Sequence, residues 1–437
     1  MRASPDRLNT VNSAATDSIS TGDRIELTVG SVAHGGVFVG KLDDGRVVFV
    51  ADALPGERVV ARITQVHKRF ARAVTETVLA PSEHRQAHVW DAASVERDPQ
   101  ERAGGAEFGH MLPSVARELK RQVLADALTR FGGIAPGELD SLEVLAIPGD
   151  DERRGTGWRT RVTLHVDSEG NVGPFAARSH RVVRVDSLPL AFADIEEAAL
   201  QQIARGAAGP ARMDFVAPAD LEVRMRTVPD GKKPRAGATI RERVGNREFK
   251  LAQHGFWQVH RQAAATLYRA VTEALVPELL DASARHLDLY GGVGLLGAAL
   301  AETVGDRANL VSVEADAVAT GFAETNLREW VGAAAHTVRV DRYLRELLRT
   351  AGDRERAEFA RGTVVLDPPR AGAGADVVHA LGALAPAQLV YVACDPVALA
   401  RDTGSLREQG YELRRVRAFD LFPNTHHLEA VASFVRA

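Results

Sequence analysis

His286-Leu-Asp-Leu-Tyr-Gly-Gly-Val-Gly294 reads as an apolar strand running into a glycine-rich turn, and the apolar stretch Leu295–Val304 after it reads as a helix. The same unit recurs along the chain. Asn309-Leu-Val-Ser-Val313, Thr337-Val-Arg-Val340, Gly362-Thr-Val-Val-Leu366 and Gln388-Leu-Val-Tyr-Val-Ala393 are short apolar runs separated by helix-length segments. Upstream, Gln262–Val276 carries helical periodicity and stops at Pro277, which cannot continue a helix. Strands alternating with helices predict a doubly wound, Rossmann-like parallel sheet from about Leu251 to the end of the chain. Ligands of such sheets bind beyond the carboxyl ends of the strands.

Each strand ends at a residue with chemical potential. The loop Asp288–Gly294, with Asp288, Tyr290 and Gly292, would let a ligand approach the backbone, although tight turns use glycine without any ligand. Glu314 lies 20 residues beyond Gly294, where a carboxylate can accept from ribose hydroxyls. Asp341 is expected at the end of the next strand, near an adenine ring. The glycines do not form G-x-G-x-x-G, and the shorter loop suits S-adenosylmethionine better than a dinucleotide. Asp367-Pro-Pro-Arg370 stiffens a rim on which Asp367 can face a substrate.

Cys394 closes the last of these strands and is the only cysteine in the chain. A lone cysteine is more often an inert small hydrophobe than a nucleophile. Its place at a strand's carboxyl end, on the rim it shares with Asp367, favours the nucleophile. It also excludes internal disulfides, four-thiolate zinc and cysteine-ligated iron–sulfur clusters. Near the end of the chain, Phe422-Pro-Asn-Thr-His-His-Leu-Glu429 offers Glu429 as a general base or, alternatively, as a structural cap. Its histidines lack the spacing of an established zinc motif, so no metal is expected.

Outside that sheet the patterns are weaker. Residues 1–20 are polar and read as a disordered tail rather than a signal peptide. Over 21–80, the runs Arg24–Val29, Val37–Val39, Arg46–Val50 and Val59–Ile63 alternate with glycine turns, as in a small OB-like β-barrel. Lys68, Arg69 and Arg72 flank Phe70, a combination that binds nucleic acid when it is not merely a solvated edge. Residues 81–250 read as a central α+β domain whose helix at 115–131 is placed to pack on the catalytic domain, 251–437. The turn Pro229–Arg235 is expected to be exposed. A net charge of -4 does not announce a nucleic-acid binder, but a basic face can hide within a neutral total. No run approaches the roughly 18 apolar residues of a membrane helix. A cytoplasmic monomer is expected.

Taken in order, Asp288–Gly294, Leu366-Asp-Pro-Pro-Arg370-Ala-Gly372, Val390-Tyr-Val-Ala-Cys394-Asp-Pro396 with Ala400-Arg-Asp402, and Phe422–Glu429 resemble the S-adenosylmethionine-dependent RNA uracil-5-methyltransferases. The resemblance spans roughly Gly22–Ala437. It implies a TRAM domain at the N-terminus, RNA as partner, ribosomal RNA ahead of transfer RNA, and Gln258 of Gly255-Phe-Trp-Gln258 as a cofactor contact. It implies Cys394 as nucleophile on carbon 6 of uracil, Glu429 as base, Asp367 on the uracil edge and Phe256 stacking on the flipped base. Members often carry a four-cysteine iron–sulfur cluster. The corresponding stretch Arg102–His110 has no cysteine, Ser187 stands in the fourth position, and no cluster is expected; Gly291 also replaces a common cysteine. The rival readings are a methyltransferase acting on another base position and a catalytically silent RNA-binding factor.

Overall fold

A computed structural model describes residues 19–232 and 237–437. The expected tail lies, up to residue 18, outside the described residues, as do positions 233–235 of the turn Pro229–Arg235.

The first unit is a six-stranded sheet of β1 (Arg24–Thr28), β2 (Val32–Ala33), β3 (Val37–Lys41), β4 (Val47–Ala51), β5 (Arg58–Val66) and β6 (Phe70–Ala80), ordered β1-β5-β6-β4-β3-β2. Gly30 N–H donates to Val39 O at 2.7 Å and Val39 N–H to Ser31 O at 2.9 Å, so the end of β1 folds back beside β3. Alternate residues Phe38, Val48, Val50, Val59, Ala61 and Ile63 point inward, and Phe108, Met111 and Leu119 from beyond the sheet complete that core.

The stretch after β6 has little regular structure and is tied down by buried charge. Arg85 binds the fully buried Glu57 through Nε at 2.6 Å and Nη2 at 2.7 Å. Arg102 donates to Asp52 Oδ2 at 2.7 Å, Thr75 O at 2.8 Å, Val95 O at 2.7 Å and Arg97 O at 3.0 Å. Charge-assisted bonds of this kind join the cysteine-free stretch to the first sheet, each stronger than a neutral hydrogen bond.

Helix α1 (Pro113–Arg130) and the two-residue strand β7 (Val144–Leu145) come next. The central sheet follows: β8 (Arg161–Val166), β9 (Val172–Gly173), α2 (Ala193–Arg205), β10 (Ala211–Val216) and β11 (Arg224–Pro229), in the order β11-β10-β8-β9. A hairpin of β12 (Thr239–Val244) and β13 (Arg247–Ala252) leads to α3 (Ala263–Ala274).

The remaining elements are β14 (Arg285–Leu289), α4 (Leu295–Val304), β15 (Asn309–Glu314), α5 (Ala317–Asn326), β16 (Ala334–Thr337), α6 (Val340–Thr350), α7 (Asp353–Ala360), β17 (Thr363–Leu366), α8 (Ala375–Leu384), β18 (Gln388–Ala393), α9 (Pro396–Glu408), β19 (Tyr411–Phe419) and β20 (Glu429–Arg436). They form an eight-stranded sheet, β16-β15-β14-β17-β18-β20-β19-β7. The first five strands are mutually parallel; β20 runs antiparallel to β18 and β19. One face packs under α1, α6, α8 and α9, the other under α3, α4 and α5, the two layers of a doubly wound fold.

Two segments outside 251–437 pack with the large sheet: α1, which the sequence places against it, and the β12–β13 hairpin, which the sequence assigns to the central domain. Leu124, Ala127, Leu128 and Val144 are buried in the large sheet's own core, and β7 extends its edge beside β19, so 113–145 packs as part of that layer. Ile240, Val244, Phe249 and Leu251 of the hairpin share a core with α3 and α4, so the expected boundary at 250/251 cuts through β13. The expected strand Thr337–Val340 is corrected: β16 ends at Thr337 and Val340 opens α6, because Val340, Leu344 and Leu347 form a buried helical stripe. Asp341 therefore sits in the first turn of a helix rather than at a strand end.

Candidate active site

The strand-to-helix turn after β14 is built for close approach. Gly292 (φ +54°) and Gly294 (φ +88°) are left-handed, a conformation costly for other residues. A Cβ added at Gly292 would meet nothing within 4 Å, so the loop leaves open space beside its backbone, as a ligand cradle requires. Tyr290 is also left-handed (φ +61°) despite its side chain, a strain concentrated at this junction. Glu314 Oε2 accepts from Gly292 N–H at 3.1 Å and Oε1 from Asp316 N–H at 2.7 Å, placing the carboxylate on the loop's rim.

Asp288 faces inward. It is 1% exposed, accepts from Ser312 Oγ at 2.8 Å, and occupies the space a Cβ on Gly291 or Gly297 would need. Burial, with Glu314 nearby, pushes its pKa up to about 7 despite the Ser312 bond. Gly291 is thereby explained: any side chain would collide with Asp288 and Ser312.

The second half of the site is set by register. Leu366 pairs with Leu289 on one side and Tyr391 on the other, so Asp367 emerges between β14 and β18. Ala393 pairs with Ala430, which leaves Cys394 opposite Glu429, the first residue of β20. The carboxyl groups of Asp367 and Glu429 make no hydrogen bond among the described residues, Glu429 is only 4% exposed, and Arg370 is the cation that acts on Glu429.

Unpartnered acids this close cannot all ionise. Burial and the Asp288 carboxyl push Asp367 up to about 7; burial and Asp367 push Glu429 well above the usual glutamate range. Burial, Glu429 and Asp367 push the Cys394 thiol up to about 12, with Arg370 as the opposing cation. These shifts favour the neutral thiol and keep protons on the neighbouring acids.

Around the thiol lies a cavity of about 100 Å³, lined by Val32–Gly36 of the first sheet and by Lys120, Arg370, Cys394, Asp395, His426 and His427. Lys120 is fully buried and bonded to Asp420 Oδ1 at 2.6 Å and Phe422 O at 3.1 Å. Burial, with His426 and Arg370 beside it, lowers the His427 pKa to about 3, so its imidazole is neutral. Gly35 and His426 also line a far larger cleft of about 1300 Å³ between the first and central sheets. Its walls carry Phe49, His67, Phe70, Arg62 and Arg72 on one side and Arg159, His165, Phe175, Arg178 and Arg181 on the other. Two rings stack on each wall, His67 on Phe70 at 4.4 Å and His165 on Phe175 at 3.5 Å. Stacked rings among arginines suit single-stranded nucleic acid.

Other residues singled out in the sequence stand apart. Asp341 is engaged by Arg339 Nε at 2.9 Å. Gln258 has no side-chain hydrogen bond among the described residues, and Phe256 is 73% exposed; neither lines the Cys394 cavity. Among the described residues no group of His, Cys, Asp and Glu has the arrangement to hold a metal. The sequence reading missed Lys120 and His34, which carry no motif, and gave no role to Arg370 although it lies in a quoted one.

Residues 20–75 match the family described as TRAM domain, and residues 242–436 match tRNA (Uracil-5-)-methyltransferase. A protein of Streptomyces avermitilis named "Uncharacterized RNA methyltransferase" is 36% identical, covering 94% of this chain and 98% of its own. A protein of Pseudomonas fluorescens named 23S rRNA (uracil(1939)-C(5))-methyltransferase RlmD is 28% identical, covering 98% of each. The fold matches the crystal structure of Pyrococcus abyssi tRNA (uracil-54, C5)-methyltransferase in complex with S-adenosyl-L-homocysteine, with a TM-score of 0.67 at 22% identity over 94% of this chain and 99% of that one. The glycine cradle, the Cys394–Glu429 register and these relatives agree: the chain belongs to the S-adenosylmethionine-dependent RNA uracil-5-methyltransferases, with a TRAM domain at its N-terminal end.

Proposed function

We propose that the protein methylates carbon 5 of a uridine in 23S ribosomal RNA, in the cytoplasm and as a monomer, through a covalent bond between Cys394 and the ring. The observation that carries the covalent step is the register that sets the thiol opposite an unpartnered, buried carboxyl. S-adenosylmethionine, held by Gly292, Glu314, Tyr290 and Gln258 with Asp288 shaping the loop and Asp341 at its edge, supplies an electrophilic methyl group.

Carbon 5 of uracil is a weak nucleophile until a thiolate adds at carbon 6. Cys394 passes its proton to Asp367, which at about 7 is partly ionised near neutral pH, and its sulfur bonds to carbon 6. Protonated Asp367 then donates to the ring carbonyl, where enolate charge gathers. Neutralising Asp367 also removes the repulsion that keeps Glu429 protonated, so Glu429 gives up its proton to solvent, the one proton the overall reaction releases, and is ionised when a base is needed. Once carbon 5 is methylated, Glu429 takes its proton, the carbon 6–sulfur bond breaks with its electrons returning to sulfur, and the thiolate recovers the proton from Asp367. The uridine reaches this site flipped from RNA in the cleft, and Phe256, an exposed ring outside the Cys394 cavity, is available to stack on the RNA. Ribosomal RNA is favoured by the TRAM domain and by the name of the Pseudomonas relative. Mapping 5-methyluridine in ribosomal and transfer RNA from cells with and without the gene tests this. Loss of one site from 23S RNA is expected; loss from transfer RNA alone overturns the substrate.

A further inference from the structure

The first sheet reaches the nucleophile directly. His34, in the glycine turn Ala33–Gly36, places Nε2 2.9 Å from Asp395 Oδ2. Asp395 follows Cys394 in the chain, and its other oxygen caps α9, accepting from Val397 N–H at 3.0 Å and Ala398 N–H at 2.8 Å. One carboxylate thus joins three elements: the turn that carries the thiol, the helix after it, and the TRAM sheet. The turn is pressed home. Gly36 is left-handed (φ +70°), and a Cβ there would sit 2.7 Å from the Cβ of His426, which also lines the Cys394 cavity.

We propose that His34 is a positioning residue for Cys394: through Asp395 it fixes the nucleophile's turn, so that the TRAM domain completes the catalytic site as well as gripping RNA. A capping aspartate holds its helix with one oxygen. The second is free to rotate the carboxylate unless something outside the helix fixes it, and among the described residues His34 is the side chain that does so. Reactive thiols lose rate steeply with small displacements from the carbon they attack. The bond therefore bears on the rate of addition, while RNA affinity rests on the separate arginine and aromatic walls of the cleft.

This inference rests on Cys394 being the nucleophile, and the test separates the two. 23S RNA transcribed with 5-fluorouridine is mixed with the full-length protein and S-adenosylmethionine, because fluorine at carbon 5 cannot leave as a proton and the adduct accumulates. The rate of adduct formation at saturating RNA, and the RNA concentration at half that rate, are measured for the unmutated protein and three variants. His34→Ala is expected to slow trapping about tenfold, the scale of a partly exposed charged hydrogen bond, with the half-saturating concentration within about twofold of the unmutated protein. His34→Gln, which can still donate, is expected to recover most of the rate. Gly36→Ala, which pushes the turn off His426 without touching His34, is expected to be slowed like His34→Ala. If His34→Ala traps at the unmutated rate, or changes only the half-saturating concentration, the positioning role is overturned. If the unmutated protein forms no adduct, the thiol reading falls first and this inference with it.

Discussion

Replacing Asp288 with Asn should change how the protein's stability depends on pH. Asp288 is 1% exposed and its pKa is pushed up to about 7, against a usual value near 3.8. The folded state therefore binds a proton that the unfolded chain releases as pH rises above about 4. The sign follows from linkage. Where the folded state holds more protons, stability falls with rising pH, here from about 4 to about 7, and stays lower above that. At about 1.4 kcal/mol per pH unit, the interval corresponds to an upper limit of about 4 kcal/mol at pH 8. Asn keeps a carbonyl for Ser312 Oγ and removes the titration. Asp288→Asn and the unmutated protein should therefore have similar stability near pH 4, and the variant should gain by up to that amount at pH 8. Urea unfolding followed by tryptophan fluorescence is suited to the measurement, because Trp257 and Trp330 both lie in the core beside α4. Asp367, raised partly by Asp288, should titrate lower in the variant. A stability difference that does not vary with pH would refute the reasoning.

Three further outcomes are expected. Glu314→Ala should weaken S-adenosylmethionine binding in calorimetry by about 1–3 kcal/mol, the cost of an unpaired polar partner; unchanged affinity would remove Glu314 from the site. Lys120→Met strands the buried Asp420 carboxylate and should cost about 3–5 kcal/mol in chemical denaturation, much of it recovered when Asp420 is also made Leu. Phe256→Ala, at a 73% exposed position, should leave the melting temperature unchanged but raise KM for RNA; a large loss of stability would show the ring to be structural.

The doubly wound fold was legible because β14, β15, β17 and β18 are buried on both faces and so read as unbroken apolar runs. Each boundary there fell within a residue or two. β16 is an edge strand, Ala334-Ala-His-Thr337, with little side chain to bury, and the alternation of Val338 and Val340 just after it imitated a strand. β6 went unread for a related reason. Its inward positions are Ala71, Ala73 and Thr75, too small to mark an apolar face, although it pairs with β4 and β5. Cys394, Glu429 and Asp367 stand out as candidates in the sequence because chemistry and strand ends coincide. Their mutual electrostatic influence is not readable there, because it depends on register between strands distant in sequence. His34 lay in a turn with no chemical signal, 361 residues from the carboxylate it binds.

The central claim, a thiolate that activates the ring and a carboxylate that releases it, is tested most directly by comparing Cys394→Ala with Glu429→Gln on the same RNA. Without the thiol, carbon 5 is never activated, so Cys394→Ala should bind RNA and S-adenosylmethionine yet form neither adduct nor 5-methyluridine. Without the base, addition and methyl transfer proceed but the proton on carbon 5 remains. Glu429→Gln should then accumulate a methylated protein–RNA complex that survives denaturing electrophoresis, with the link mapped to Cys394 by mass spectrometry. Methylation by Cys394→Ala, or normal turnover by Glu429→Gln without any adduct, would contradict the account.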